Sequence, residues 1–203
     1  MRKLGLLLLL LVAVMFVYSN EAVAAGIQKG ASEISANGSL SRLVYKVTVE
    51  DTKAKDTTNG AAVRLGYSYF LTDQVSAGAN LMINGNKDKY DDGTTSSDLT
   101  AGIDLNAKYH FIFSKGQTVV PYLGLQGGWI NMAIKSEGES ASGSAGSYGG
   151  MGGVKFFITE NVSFNTELNY RKYTVGFTYG LAEVTSKIND VKLLFGLSYY
   201  FGK

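Results

Sequence analysis

Residues 161–172 read NVSFNTELNYRK. Val162, Phe164, Thr166, Leu168 and Tyr170 share one parity, while Ser163, Asn165, Glu167, Asn169 and Arg171 hold the other. A two-residue period is the pattern of a β-strand, whose successive side chains point to opposite faces. One face of this strand is apolar; the other carries a carboxylate, amides and a guanidinium. Which face meets water decides what kind of protein this is.

The alternation recurs along the chain. Val63, Leu65, Tyr67, Tyr69 and Leu71 alternate with Arg64, Gly66, Ser68 and Phe70. Leu99, Ala101, Ile103, Leu105, Ala107 and Tyr109 alternate with Thr100, Gly102, Asp104, Asn106, Lys108 and His110. Val191, Leu193, Phe195, Leu197, Tyr199 and Phe201 alternate with Lys192, Leu194, Gly196, Ser198 and Tyr200. In a soluble ligand-carrying barrel the polar face would lie outside and be heavily charged. Here it is mostly Gly, Ser and Asn, with one or two charges per strand. Small residues of that kind suit the interior of a narrow barrel, which eight strands leave just wide enough for side chains to fill. The apolar face is then the one that meets lipid.

Three tight turns, Leu71–Gln74, Ser114–Gln117 and Ile158–Asn161, recur at similar spacing. Between them lie longer polar segments, Glu50–Gly60, Asn84–Asp98 and Lys135–Ser147, and a shorter one, Gly180–Lys187. Four strand–loop–strand units joined by three turns make eight strands, with short turns at one end and long loops at the other. The expected fold is all-β: an eight-stranded antiparallel up-and-down transmembrane β-barrel, preceded by a cleaved signal peptide. Arg2 and Lys3, the apolar run Leu4–Val17 and the small residues Ala22-Val23-Ala24 form that signal, and the run falls short of the ~20 residues of a spanning helix. The division is therefore a leader over residues 1–24 and a barrel domain over 25–203.

Loss of Arg2, Lys3 and Glu21 with the leader takes the formal charge from +2 to about +1, which gives no electrostatic case for nucleic acid. The chain has no cysteine, so it offers neither disulfides nor a cysteine-linked lipid anchor. No second apolar stretch reaches spanning length, and an exported chain of this kind sits in a membrane only as a closed barrel.

The runs GYSYFLTDQVSAGANL (66–81), PYLGLQGGW (121–129) and GGMGGVKFFITENVSFNTELNYR (149–171) resemble the small eight-stranded outer-membrane β-barrel proteins of Gram-negative bacteria, the OmpA/OmpX-type barrels in the broad sense. The resemblance covers nearly all of the mature chain and implies location in the cell outer membrane, contact with its lipid and lipopolysaccharide, and use of the barrel insertion machinery. The family usually ends on an aromatic residue; here Phe201 is followed by Gly202 and Lys203, so Tyr199-Tyr200-Phe201 would carry that signal.

By parity the inward charged residues are Glu33, Arg64, Asp104, Lys108, Lys155, Glu167, Arg171 and Lys192. Glu167 and Arg171 lie about 13 Å apart along one strand at ~3.4 Å per residue, so their partners must come from other strands. A mixed-sign polar network plugging the barrel follows, read as a structural core in preference to a gated pore. His110, the lone histidine, would need a serine and an acid in reach to hydrolyse lipid. Ser68 has compatible parity, but neither a nucleophile motif nor an orienting acid accompanies it. The segment DKYDDGTTSSDL (88–99) fails a calcium-loop pattern, with Tyr90 at its third position and Leu99 at its twelfth. The glycines Gly149, Gly150, Gly152 and Gly153 lie in a strand and read as curvature and close packing rather than a phosphate cradle. No catalytic residue, cofactor or metal site is expected.

Leu43, Tyr45, Val47 and Val49 change parity relative to Ile34 and Leu40, as Val175, Phe177 and Tyr179 do relative to Phe164 and Leu168. A β-bulge at each switch would account for this. Lys172 faces outward at the expected height of the outer interface, where a lipopolysaccharide phosphate could meet it. The expected protein is a non-catalytic monomer with a structural and surface role, its loops free for an extracellular partner. A narrow or gated channel for small solutes and a lipid-modifying enzyme are the alternatives.

Overall fold

The computed structural model describes residues 27–49, 52–90, 93–114, 116–136, 139–179 and 182–202. The expected leader, residues 1–24, lies outside them. Eight strands follow in order: β1 (Ser32–Val49), β2 (Thr52–Phe70), β3 (Val75–Lys89), β4 (Thr95–His110), β5 (Val119–Ser136), β6 (Glu139–Thr159), β7 (Val162–Tyr179) and β8 (Ala182–Phe201). They form one closed barrel in which each strand pairs antiparallel with its sequence neighbours and β8 closes on β1.

Side-chain chemistry closes the short turns. Thr72 Oγ1 accepts from the backbone N–H groups of Gln74 (3.2 Å) and Val75 (2.9 Å). Thr159 Oγ1 accepts from Asn161 N at 3.3 Å. Between β4 and β5, Gln117 accepts from Phe113 N (2.7 Å) and donates to the carbonyls of Phe111 (3.0 Å) and Val119 (2.5 Å). The neighbouring Gly116 takes φ +85°, the left-handed region where glycine avoids a Cβ penalty.

The strands are longer than the polar composition of the outer segments suggests. Most of Glu50–Gly60, Asn84–Asp98, Lys135–Ser147 and Gly180–Lys187 is paired strand: β3 runs to Lys89 and β4 resumes at Thr95, while β5 ends at Ser136 and β6 begins at Glu139. The long loops expected there are thus extensions of the hairpins. Above the membrane both faces of a hairpin meet water, so polar residues on both faces mark a solvated strand as readily as a loop.

Followed once around the wall, the ladder from Ser32 passes Tyr69, Ala77, Ala107, Leu125, Gly150 and Tyr170 and arrives at Val191. Ser32 itself pairs with Phe201, ten residues further along β8. A stagger of that size in eight strands goes with a tilt of about 40°. Outside, Leu65, Leu81, Ile103, Leu105, Leu125, Leu168, Leu193 and Leu197 are exposed. They form a lipid-facing belt, with Tyr67, Tyr69, Tyr109, Tyr199 and Phe201 toward the turn end and Trp129, Tyr148 and Tyr170 toward the hairpin end.

The interior is layered. At the turn end Ile27, Ala31, Phe70, Val120, Phe157 and Tyr200 form an apolar floor. Polar and charged residues fill the middle. Above them Met82, Ile130, Met132, Ala145, Tyr173 and Val175 make a second apolar cluster, against which Ile134 and Ile188 pack.

That upper cluster corrects the expected bulges. The β1–β2 register is unbroken from Ser32 to Val49, and the β7–β8 register from Val162 to Tyr179. Instead of the strand flipping its apolar residues outward, the lumen itself changes from polar to apolar, and Val175 is fully buried inside it. The side chains of Leu43, Tyr45, Val47, Val49, Phe177 and Tyr179 lie outside the described ones. The register shift that does occur, between Phe157 and Thr159, adjoins the β6–β7 turn.

Candidate functional site: the charged barrel interior

β7 supplies one side of the polar layer. Its alternation turns Ser163, Asn165, Glu167, Asn169 and Arg171 into the lumen, all buried. Glu167 Oε1 accepts from Arg64 Nη2 of β2 at 2.6 Å and from Asn169 Nδ2 at 3.0 Å, while its Oε2 accepts from the Tyr122 hydroxyl of β5 at 2.7 Å. Tyr122 reaches across because β6 carries Gly153 beneath it: a Cβ there would lie 2.6 Å from the Tyr122 oxygen and press on the Thr166 carbonyl. Arg171 donates to Asp104 Oδ2 of β4 at 2.5 Å and also contacts Met82 Sδ. Gln126 bridges to β7 by donating to Asn169 Oδ1 at 2.8 Å.

Nearer the turns, Glu33 Oε1 of β1 accepts from Lys155 Nζ of β6 at 2.5 Å and from Ser198 Oγ of β8 at 2.6 Å. Lys155 Nζ also sits 5.4 Å from the ring centroids of both Tyr122 and Tyr200, within cation–π range. The three ion pairs each join strands on different sides of the barrel, so they cross the lumen instead of lining it.

Seven of the eight charged residues read as inward therefore belong to one layer: Glu33, Arg64, Asp104, Lys108, Lys155, Glu167 and Arg171 are all 0–6% exposed. Lys192 stands apart. It pairs with Asp190 on its own strand at 2.5 Å, and both side chains are 23% exposed. Lys108 forms no ion pair among the described residues; its ammonium lies 5.7 Å from the Tyr122 ring centroid. Four cations thus face three carboxylates, with Lys108 the surplus charge. Tyr122 and Gln126 complete the layer without carrying charge, and β5 parity, with Val120, Tyr122 and Gln126 all buried, is the signal that finds them.

His110 is fully buried at the base of this layer. Its Nε2 lies 3.1 Å from Ser76 Oγ, and its ring packs against Phe70 and Tyr122, at 5.1 and 5.7 Å between centroids. No hydrogen-bond partner faces its Nδ1 among the described residues, where a catalytic triad would place its acid. Asp88 and Asp98, from the segment weighed as a calcium loop, accept instead from Thr58 Oγ1 (2.5 Å) and Asn86 Nδ2 (2.9 Å). The described residues contain no cluster of His, Cys, Asp and Glu able to hold a metal ion.

The family model of the outer membrane protein beta-barrel domain matches residues 4–201. The chain belongs to this family. As a member of the outer membrane β-barrel family it resides in the outer membrane of a Gram-negative bacterium, with its apolar belt in the lipid. Among solved structures it is similar to Neisserial surface protein A, at 19% identity over 85% of this chain and 100% of that one, with a TM-score of 0.54. It is also similar to the outer membrane protein AlkL, solved in lipid bilayers, at 18% identity over 91% of this chain and 96% of that one, with a TM-score of 0.52. At such identities the likeness establishes the fold alone. No curated protein matches the sequence.

Proposed function

We propose that this outer membrane β-barrel is a structural and surface element of the envelope, sealed to through-flow and without catalysis. The observation that carries the reading is the crossing of the lumen by Arg64–Glu167, Lys155–Glu33 and Arg171–Asp104, each held between buried side chains. A channel needs a continuous wet path, and opening one here would separate paired charges in a low-dielectric interior. Burial of both Ser76 and His110 argues against a hydrolase, since no substrate carbonyl can approach the hydroxyl.

Around this sealed core the remaining parts take surface roles. Lys172, on the outward parity of β7 near the hairpin end, is placed to meet a lipopolysaccharide phosphate. The extended hairpins present polar strand to an extracellular partner, and the final strand, ending Tyr199-Tyr200-Phe201, serves the insertion machinery. The unit is a monomer, exported by a leader that is then removed.

The test compares cells lacking the protein with cells in which it is restored, scoring resistance to detergent and uptake of small solutes. The reading requires that loss lowers detergent resistance and leaves solute uptake unchanged. Lower uptake with intact resistance would favour the small-solute channel.

A further inference from the structure

Two seams of the wall stop before their strands end: β6 and β7 part above Ser147–Tyr173, near the hairpin end, and β8 and β1 part much lower. β8 and β1 pair only from Ser32–Phe201 to Gly38–Phe195, whereas β1 goes on pairing with β2 to Val49 and β8 with β7 back to Ala182. In the same register Ser39 would face Leu194 and Leu40 would face Leu193, yet neither pair joins the ladder. The end of the seam lies six residues above Phe201, about 16 Å along the barrel axis at ~3.4 Å per residue and ~40° tilt. An outer-membrane apolar band is roughly 25 Å tall, so the split opens inside it, in its upper third. Unpaired strand edges at that depth are tolerated only where they line a cavity or find another partner.

A cavity is there. It encloses about 380 Å³ and reaches from Leu40, Val191 and Leu193 on the lipid side of the split to Asn84, Asn86 and Thr100 inside the barrel. That volume falls in the ~300–1,000 Å³ range of small-molecule sites. Its rim is strongly apolar, with Leu40 89% exposed to the bilayer side. Its wall offers neutral amides and hydroxyls, and the charged residues among its lining, Asp190 and Lys192, pair with each other at 2.5 Å. Tyr173 and Ile188 also border it, and they belong to the upper apolar cluster of the lumen. Beneath it the Arg171–Asp104 pair blocks descent toward the turn end.

From this we infer that the notch between β1 and β8 above Gly38 binds a single-chain amphiphile with an uncharged, hydrogen-bonding head. The head rests on Asn84, Asn86 and Thr100, and the chain leaves sideways between Leu40 and Leu193 into the outer leaflet. An anionic head is disfavoured because Lys192 is already paired with Asp190, and the carboxylates of Asp98 and Asp88 stand just behind Asn86 and Thr58. A molecule held here moves between the outer end of the barrel and the bilayer without crossing the sealed layer, so the inference stands whether or not that layer conducts.

The natural chain lacks cysteine, which makes a covalent closure clean. The double variant Leu40→Cys/Leu193→Cys, in nanodiscs of perdeuterated phospholipid, is titrated with 1-decanol and followed by NMR, with heat modifiability as the folding check. While reduced, it and the native protein should show saturable shifts at Asn84, Asn86 and Thr100, with cross-relaxation from the alcohol. Oxidation to the disulfide should weaken that binding at least tenfold, and Asn84→Leu/Asn86→Leu should weaken it similarly with the seam left open. Equal binding by oxidised and reduced forms, or the absence of saturable shifts in the native protein, would overturn the proposal. So would contacts at the same residues from protonated phospholipid that added decanol does not displace, which would assign the notch to a bilayer lipid.

Discussion

Glu167→Gln removes one charge from the most connected residue of the interior while keeping its volume and one acceptor oxygen. In the native barrel this carboxylate holds Arg64 at 2.6 Å, the Tyr122 hydroxyl at 2.7 Å and Asn169 at 3.0 Å, and it is 2% exposed. Because the volume is conserved, the cavity contribution is small, and the cost comes from leaving the Arg64 guanidinium buried without a counter-charge. Breaking a buried pair from one side costs about 3–5 kcal/mol, or two to three and a half decades in the folding equilibrium at about 1.4 kcal/mol per decade. Lys192→Ala supplies the contrast, since its pair with Asp190 lies at a solvated rim and is worth about 1 kcal/mol or less. The assay is urea unfolding and refolding in phospholipid vesicles, read by the fluorescence of Trp129, the single tryptophan. The double variant Arg64→Met/Glu167→Gln should recover part of the loss, because it removes the stranded charge as well. If Glu167→Gln costs no more than Lys192→Ala, the buried pairs do not hold the interior together and the reasoning fails.

Gly153→Val should destabilise the barrel by about 1–3 kcal/mol and displace Tyr122 from Glu167, visible as a changed tyrosine environment in near-ultraviolet circular dichroism. Leu105→Lys puts a charge on a residue 69% exposed on the lipid face near mid-bilayer, and should cost about 2–4 kcal/mol in vesicle refolding. The outward-facing Asn131, nearer the hairpin end, should accept lysine at about 1 kcal/mol or less in the same assay. Mass spectrometry of the protein from isolated outer membranes should give an amino terminus at Ala25 or Gly26; retention of residues 1–24 would contradict removal of the leader.

Parity made much of this architecture readable because lipid and lumen make opposite demands on alternate residues. Leu168 and Glu167 are neighbours in sequence, yet one is exposed on the lipid face and the other is buried in the barrel. The membrane part of each strand therefore stood out. The hairpin extensions did not, since a strand wet on both faces, such as the Gly85–Lys89 end of β3, has the composition of a loop. The parity switch in β7 was visible, but its cause lay in the apolar lumen around Tyr173 and Val175, which single-strand reading cannot distinguish from a bulge. Ion-pair partners were illegible for a geometric reason. Arg64 meets Glu167 across the lumen, 103 residues away, and that meeting depends on the stagger accumulated around the whole wall. Lys192 shares the inward parity of its strand and pairs with Asn169 of the charged layer, but its ammonium turns toward the hairpin end to meet Asp190.

Conductance across a planar bilayer holding the purified, heat-modifiable barrel tests the sealed interior most directly. With Arg64–Glu167, Lys155–Glu33 and Arg171–Asp104 in place, the native protein should insert without discrete current steps, and Glu167→Gln should lose stability without acquiring them. Stable, stepwise channels from the native protein would contradict the account and make the charged layer the lining of a pore.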